Sequence, residues 1–237
     1  VAAAALMLLT GWLTGWLTAC SGSGSGPAGT SSAKPSAAEF VARAKTTLDA
    51  TSAVHFVLSS AGLPQAVTAL VGGEGDAARP DKFAGDLDVS LSGGKAKVSV
   101  VSIGGTVHVK LPFTTTYTVT DPKKFNIPDP GSFMSPTAGL TQLLAQATNA
   151  TDSGQTRAGG AVLQTVVADV PGRVVDAVLR DADPAAPVKA TFGIDPATNQ
   201  LRTATLVGPF FEKGVSSSYT LALSKYGAPV DIRVPTG

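Results

Sequence analysis

One cysteine, Cys20, stands in 237 residues, so the chain has no intramolecular disulfide available to it. A small disulfide-stapled scaffold is thereby excluded, and a chain of this length buries a sizeable core without bridges. Histidine is nearly as scarce, with His55 and His108 alone. No cluster of His, Cys and acidic residues has the spacing of a metal site or of a nucleophilic triad. No G-x-S-x-G, Walker A, H-E-x-x-H or G-x-G-x-x-G run stands in a suitable context. The expectation is a protein that is not an enzyme and takes neither metal nor cofactor. Charged residues make up only 15% of the chain, and the formal net charge is +1. With no basic stripe, nucleic acid is a poor partner. Tryptophan is confined to Trp12 and Trp16, inside a repeated Thr-Gly-Trp-Leu unit, so the chain beyond Cys20 has none.

The sole cysteine is placed where it carries meaning. Val1 to Ala19 is an uncharged apolar run, and Leu17-Thr18-Ala19-Cys20 closes it. Small residues followed by Cys directly behind an apolar run have the shape of a bacterial lipobox, in which the thiol is acylated and the leader is cut before the Cys. Nineteen uncharged residues are also about enough for an uncleaved membrane-spanning helix. Against that stand the interruptions at Thr10-Gly11, Thr14-Gly15 and Thr18, and the absence of a charged stop-transfer flank. No Lys or Arg precedes the apolar run, a departure from the full leader pattern that bears on the start site alone. Residues 1–19 are therefore expected to be a lipoprotein signal peptide. Residues 20–36 are expected to be a lipidated Cys20 and a Ser/Gly-rich flexible tether, with a reach of roughly 20–24 Å. Residues 37–237 are expected to form a single domain.

That domain opens on a helix. Ser36 and Glu39 make a capping box, and Phe40, Ala44 and Leu48 share one helical face, with Val41 alongside. From Val54 the apolar period changes to two. Residues 65–74 form a weaker strand candidate. Gly85, Leu87, Val89 and Leu91 then alternate with Asp86, Asp88, Ser90 and Ser92, and Gly93-Gly94 marks a turn. Ala96, Val98 and Val100 return, and Val107, Val109 and Leu111 follow after Gly104-Gly105. This reads as an antiparallel meander with one wet and one dry face. Ser135-Pro136 predicts the start of a helix over 137–148, stopped by Asn149 and Asp152-Ser153-Gly154. Two strands near 154–158 and 161–170, a short helix over 173–180 and three further strands complete the chain before a last segment, Val230 to Val234. About ten strands with inserted helices make an α+β fold whose long sheet curls and whose helices cover its dry face.

The polar candidates for chemistry read as solvated strand positions: His55, His108, and the pair Asp86 and Asp88 on the wet face. What remains is aliphatic surface. Medium-sized Val and Leu on a wide curved sheet, covered by narrow Ala-rich helices, can leave unfilled volume suited to lipid. The alternative is that the helices fill the sheet, which would make the chain a structural or interaction lipoprotein that carries nothing.

Several short stretches then combine. They are Ser52-Ala53-Val54-His55-Phe56, Gly85-Asp86-Leu87 leading to Gly93-Gly94, Pro128-Asp129-Pro130 before Gly139-Leu140, and Leu221-x-Leu-Ser-Lys-Tyr-Gly-x-Pro-Val230. With the leader and lipobox, this set resembles the mycobacterial and related actinobacterial LprG/LppX/LprA/LprF lipoproteins, its LprG-like members most closely. The resemblance implies a LolA/LolB-like fold, a strongly curved antiparallel β half-barrel with helices on its concave side enclosing an apolar cavity. It implies a non-enzymatic carrier of acylated lipids and lipoglycans: triacylglycerol, phosphatidylinositol mannosides and lipoarabinomannan, or phthiocerol dimycocerosates for an LppX-like member. It further implies a monomer anchored at the extracytoplasmic face of the cell membrane, working with a major-facilitator efflux transporter. Lipid-binding positions carried over in this way are Leu87, Val89 and Leu91, then Val98 and Val100, with Phe133 and Met134 near the mouth.

Overall fold

The computed structural model describes residues 34–64, 67–91, 94–125, 128–179, 182–212 and 214–236. The expected leader, Cys20 and the expected tether as far as residue 33 lie outside the described residues. Pro35–Gly237 is one compact unit, and it contains every residue of the core, from Ala37 to Ile232. A unit that holds its whole core within itself has what it needs to fold on its own.

Helix α1 (Ala37–Ala50) starts where the capping box places it. The Ser36 hydroxyl accepts from the Glu39 backbone N–H, and the Glu39 side chain accepts from the Ser36 N–H. The Ser36 N–H and hydroxyl both donate to the Glu39 carboxylate and hold it below its ordinary value. The helix buries Phe40, Val41, Ala44 and Leu48 on one stripe. The first meander runs through β1 (Ala53–Ala61), β2 (Ala69–Ala78), β3 (Lys82–Leu91), β4 (Gly94–Ile103), β5 (Thr106–Lys110) and β6 (Thr118–Thr120). A 3₁₀ helix (Pro130–Met134) and the short α2 (Thr141–Ala145) follow. The second meander has β7 (Thr148–Ala158), β8 (Ala161–Pro171), helix α3 (Gly172–Leu179), β9 (Pro187–Ile194), β10 (Leu201–Glu212) and β11 (Val215–Ser224).

The two meanders fuse because β1 pairs with β11, giving an antiparallel eleven-stranded sheet in the order β6-β5-β4-β3-β2-β1-β11-β10-β9-β8-β7. The sheet is curved and unclosed, with the helices on its concave face, as the sequence and its resemblance imply. Strands β6 and β7 are consecutive in the chain yet form opposite edges of the sheet. The segment between them must therefore cross the width of the sheet, and this crossing supplies much of the helical layer. The 3₁₀ helix packs on β2, β3 and β4, while α2 packs on α1 and α3. Helix α1 lies over β7 to β10, and its apolar stripe joins Phe192, Ile194, Leu201, Ala204 and Leu206 in one core. The last segment, Val230 to Val234, forms no strand; Ile232 packs on Ala53 and Ala78 in a separate small cluster.

Two expectations need correction. The helix over 137–148 is reduced to α2, and Ser135 terminates the 3₁₀ helix rather than opening α2, whose N-cap is Leu140. The cause is a tight fold-back. The Leu140 N–H donates to the Phe133 carbonyl at 2.9 Å, and a Cβ on Gly139 would stand 2.2 Å from that same oxygen. Second, Asn149 and Asp152-Ser153-Gly154 do not stop a helix but lie within β7. Its register shifts between Thr148 and Thr151 and again between Asp152 and Gln155, and these bulges absorb Asn149 and Gly154 at positive φ.

Candidate functional site: an apolar cavity between sheet and helices

The cavity originates in one strand. Opposite residues in antiparallel pairs face the same side, so the register tells which residues flank β2 on the concave face. Phe56 and Leu58 of β1 oppose Gly75 and Gly73, and Gly73, Gly75 and Ala77 in turn oppose Leu87, Gly85 and Phe83 of β3. Strand β2 thus offers two glycines and an alanine where its neighbours offer Phe56, Leu58, Phe83 and Leu87, with Gly85 the one other small residue among them. These glycines also let the strands close on one another: a Cβ on Gly75 would lie 2.3 Å from the Ala84 carbonyl oxygen and 2.5 Å from the Gly85 Cα. The concave face is bent and hollowed along the same line.

A register shift between Leu70 and Gly72 then turns Leu70 to the side of its partner Val89, and both line the cavity. The cavity volume is about 510 Å³. Its floor is β1, β2 and β3 together with Leu206, Tyr219 and Leu221 from β10 and β11. Its roof is Phe133, Leu140 and Leu143 from the crossing segment and Val178 from α3. The roof is pinned at one point by an aromatic cluster: the Phe56 ring lies 5.2 Å from Phe83 and 5.3 Å from Phe133. Thr68, Leu91, Ala138 and Ala177 line the cavity and are themselves exposed, so they mark its mouth.

Tyr219, Asp129 and Ser132 of the wall are engaged within the protein. The Tyr219 hydroxyl donates to the Leu70 carbonyl at 2.9 Å. Asp129 Oδ1 accepts from Ser102 Oγ at 2.6 Å and from the Gly131 N–H at 2.9 Å, and Ser132 Oγ donates to the Asp129 carbonyl. These bonds hold the start of the roof to β4 and leave the interior apolar. Such a chamber binds by excluding water from hydrocarbon rather than by directed polar contacts.

Among the positions expected from sequence, Leu87, Val89, Leu91 and Phe133 line the cavity. Val100 and Met134 are buried in the core and Val98 packs partly against it; none of the three is among the described lining residues. The 3₁₀ helix sits against β4, which fills the space in front of Val100. Cys20 lies outside the described residues. Sequence reasoning missed the walls from β1, β10 and β11. The signal was present in the shared face of Ser217, Tyr219, Leu221 and Leu223, but it becomes a wall only through the β1–β11 pairing. The polar candidates take structural parts on the other face. His55 Nδ1 meets Asp76 Oδ1 at 2.9 Å across two strands, Asp86 accepts from Ser99 Oγ, and Asp88 lies 3.4 Å from Lys97 Nζ. No group of three or more His, Cys, Asp and Glu fit to hold a metal occurs among the described residues.

Known proteins share this architecture. LprF from Mycobacterium bovis superposes with a TM-score of 0.71 at 18% identity, covering 85% of this chain and 97% of that one. The lipoprotein LppX of Mycobacterium tuberculosis gives 0.60 at 17% identity, covering 83% and 98%. No curated protein matches at a significant level. At these identities the two structures speak for the fold. The family comes from the sequence itself, because residues 36–232 match the family model described as LppX_LprAFG lipoprotein. A family of lipoproteins rather than enzymes agrees with a site built of hydrocarbon walls. With the match running from the cap of α1 to the buried Ile232, this chain belongs to the LppX_LprAFG lipoprotein family.

Proposed function

We propose that this protein is a membrane-anchored lipid carrier of the cell envelope whose cavity takes the acyl chains of a lipid while the head group stays in water. The observation that carries this reading is the cavity itself: about 510 Å³ of apolar volume, open at a rim of Thr68, Leu91, Ala138 and Ala177. Each buried methylene contributes about 0.8 kcal/mol, so long chains bind without polar contacts. The only charged side chain described in the wall is Asp129, and its Oδ1 is occupied internally. Head-group selection is accordingly loose, which fits acylated lipids and lipoglycans such as triacylglycerol, phosphatidylinositol mannosides or lipoarabinomannan. Phthiocerol-dimycocerosate-like lipids form the alternative cargo class. The lipid is cargo, and no cofactor takes part. Acylation of Cys20 would tether the carrier to the extracytoplasmic face of the cell membrane as a monomer, with a major-facilitator efflux transporter as its partner.

A chain-length series tests the reading. Affinity for single-chain lipids should rise about fourfold per added methylene and level off once the cavity is filled. Affinity independent of chain length would rule out burial in a cavity. A Cys20→Ala variant should bind lipid as well as wild type in solution and deliver it more slowly than the membrane-tethered protein, without losing transfer altogether. Loss of binding itself in that variant would show that anchor and carrier are not separate.

A further inference from the structure

The fold carries an apolar protrusion at the cavity's open end that lipid carriage by the interior alone does not require. Phe113 is fully exposed, at 107% of its reference area, and its backbone is held at φ +66°. A bulky aromatic residue in the left-handed region is strained. Here the conformation is fixed by a tight turn, in which the Thr114 N–H and hydroxyl both donate to the Leu111 carbonyl. Leu111 beside it is 57% exposed.

Register shows where this tip lies. Ser99 opposes Lys110 on β5, so the chain beyond Lys110 runs on past Val98 and Ala96 toward the β3–β4 turn. Val98 and Ala96 of β4 oppose Leu87 and Val89 of β3, two residues of the cavity wall. Leu111, next after Lys110, thus comes level with Val98, the β4 neighbour of Leu87. Leu91, which lines the mouth and is 47% exposed, sits at the same end of the sheet. Phe113 and Leu111 share a surface depression with Lys95, Lys97 and Lys110, which by register lie on the face of the sheet turned away from the cavity, at the strand ends that also carry Leu91. The acidic groups facing these lysines are Asp86, which also borders the depression and accepts from Ser99, and Asp88, which lies opposite Lys97. Lys97 is paired with Asp88, whereas Lys95 and Lys110 have no ion-pair partner among the described residues.

We infer that the Leu111–Thr114 turn is a membrane-insertion tip: Phe113 and Leu111 enter the interface of an anionic bilayer, Lys95 and Lys110 contact its lipid phosphates, and the cavity mouth at Leu91 is set down on the lipid surface. The inference rests on the carrier reading for its purpose but not for its test. Exposed aromatic and aliphatic side chains collared by lysine are the chemistry of interfacial anchoring. With the tip inserted, the mouth at Leu91 lies against the lipid surface, and an acyl chain enters there directly.

The test uses the unit Pro35–Gly237, which lacks tryptophan, so that Phe113→Trp makes a single-tryptophan reporter. With vesicles of equal phosphatidylglycerol and phosphatidylcholine its emission should shift to the blue and be quenched by lipids brominated near the head group. Binding to these vesicles should exceed binding to pure phosphatidylcholine by about fivefold for each lysine that reaches the surface. Absence of shift and quenching with both compositions overturns the proposal, and equal binding to the two overturns the role of the lysines. Phe113→Asp should slow lipid transfer between vesicles about tenfold or more, the loss of roughly 1.4 kcal/mol, while leaving uptake of a fluorescent fatty acid from aqueous solution unchanged. Unchanged transfer, or loss of aqueous uptake as well, contradicts an insertion role. If the reporter inserts but wild-type protein takes up no fatty acid, the tip stands and the carrier reading falls.

Discussion

A Leu87→Trp variant should lose most of its capacity for acyl chains while keeping its fold. Leu87 lines the cavity and is flanked by Gly73 on one side and Val98 on the other, so an indole there has a hollow to enter. Displacing as few as two methylenes of bound chain lowers affinity by roughly fifteenfold. The larger side chain occupies volume that is empty in the lipid-free protein, so the native packing is not strained as it would be in a filled core. Uptake of a fluorescent fatty acid, measured beside thermal unfolding, separates the two effects. Wild-type uptake with a bulky residue at position 87 would place the chains elsewhere.

Gly75→Ala should do the reverse and cost stability. A glycine-to-alanine change in a compatible backbone stabilises by about 0.4–1 kcal/mol through the unfolded chain. At position 75 the added carbon meets backbone, 2.3 Å from the Ala84 oxygen and 2.5 Å from the Gly85 Cα, and neither can rotate away. The two strands must part where the sheet bends, under Phe56, whose ring end lies 3.3 Å from the Cβ position of Gly85. A loss of about 3–5 kcal/mol is expected, of the order of a third of a domain's total stability, with the melting temperature lowered by roughly 10 °C. Gly208→Ala is the control. Its Cβ would meet only side chains, at 3.6 Å and beyond, without positive φ, so its stability should be unchanged or slightly raised. Equal effects at both positions would mean that close approach at Gly75 is not what shapes the trough.

These two glycines show where sequence reading succeeded and where it stopped. Strands β3 and β4 were legible because their alternation is strict, and alternation of period two needs no tertiary information. The helix α1 was legible because its capping box and apolar stripe are local. Strand β2 was legible only in part, as the weak candidate over 65–74 that overlaps Ala69–Ala78: its Gly72-Gly73-x-Gly75 run has no alternation to read, although glycines inside a strand mark close backbone approach or a bulge, and both occur there. The floor from Tyr219 and Leu221 was visible as a face but not as part of the site, since the β1–β11 pairing joins residues more than 150 positions apart in the chain. Helix α2 was overread because Ser135-Pro136 looks like a helix start on local grounds, whereas the Gly139 fold-back that displaces it depends on the Phe133 carbonyl lying within reach. Surface features such as Phe113 carry no pattern at all; only its exposure and backbone angle set it apart.

The central claim is that the trough hollowed along Gly73 and Gly75 holds lipid hydrocarbon. It is tested most directly by native mass spectrometry of the unit Pro35–Gly237 expressed in lipid-rich actinobacterial cells and purified without detergent, alongside its Leu87→Trp variant. The account predicts that wild-type protein carries one acylated lipid per chain, released on denaturation, and that the variant carries little or none. Wild-type protein found only at its bare polypeptide mass, or a variant retaining the lipid in full, would contradict it.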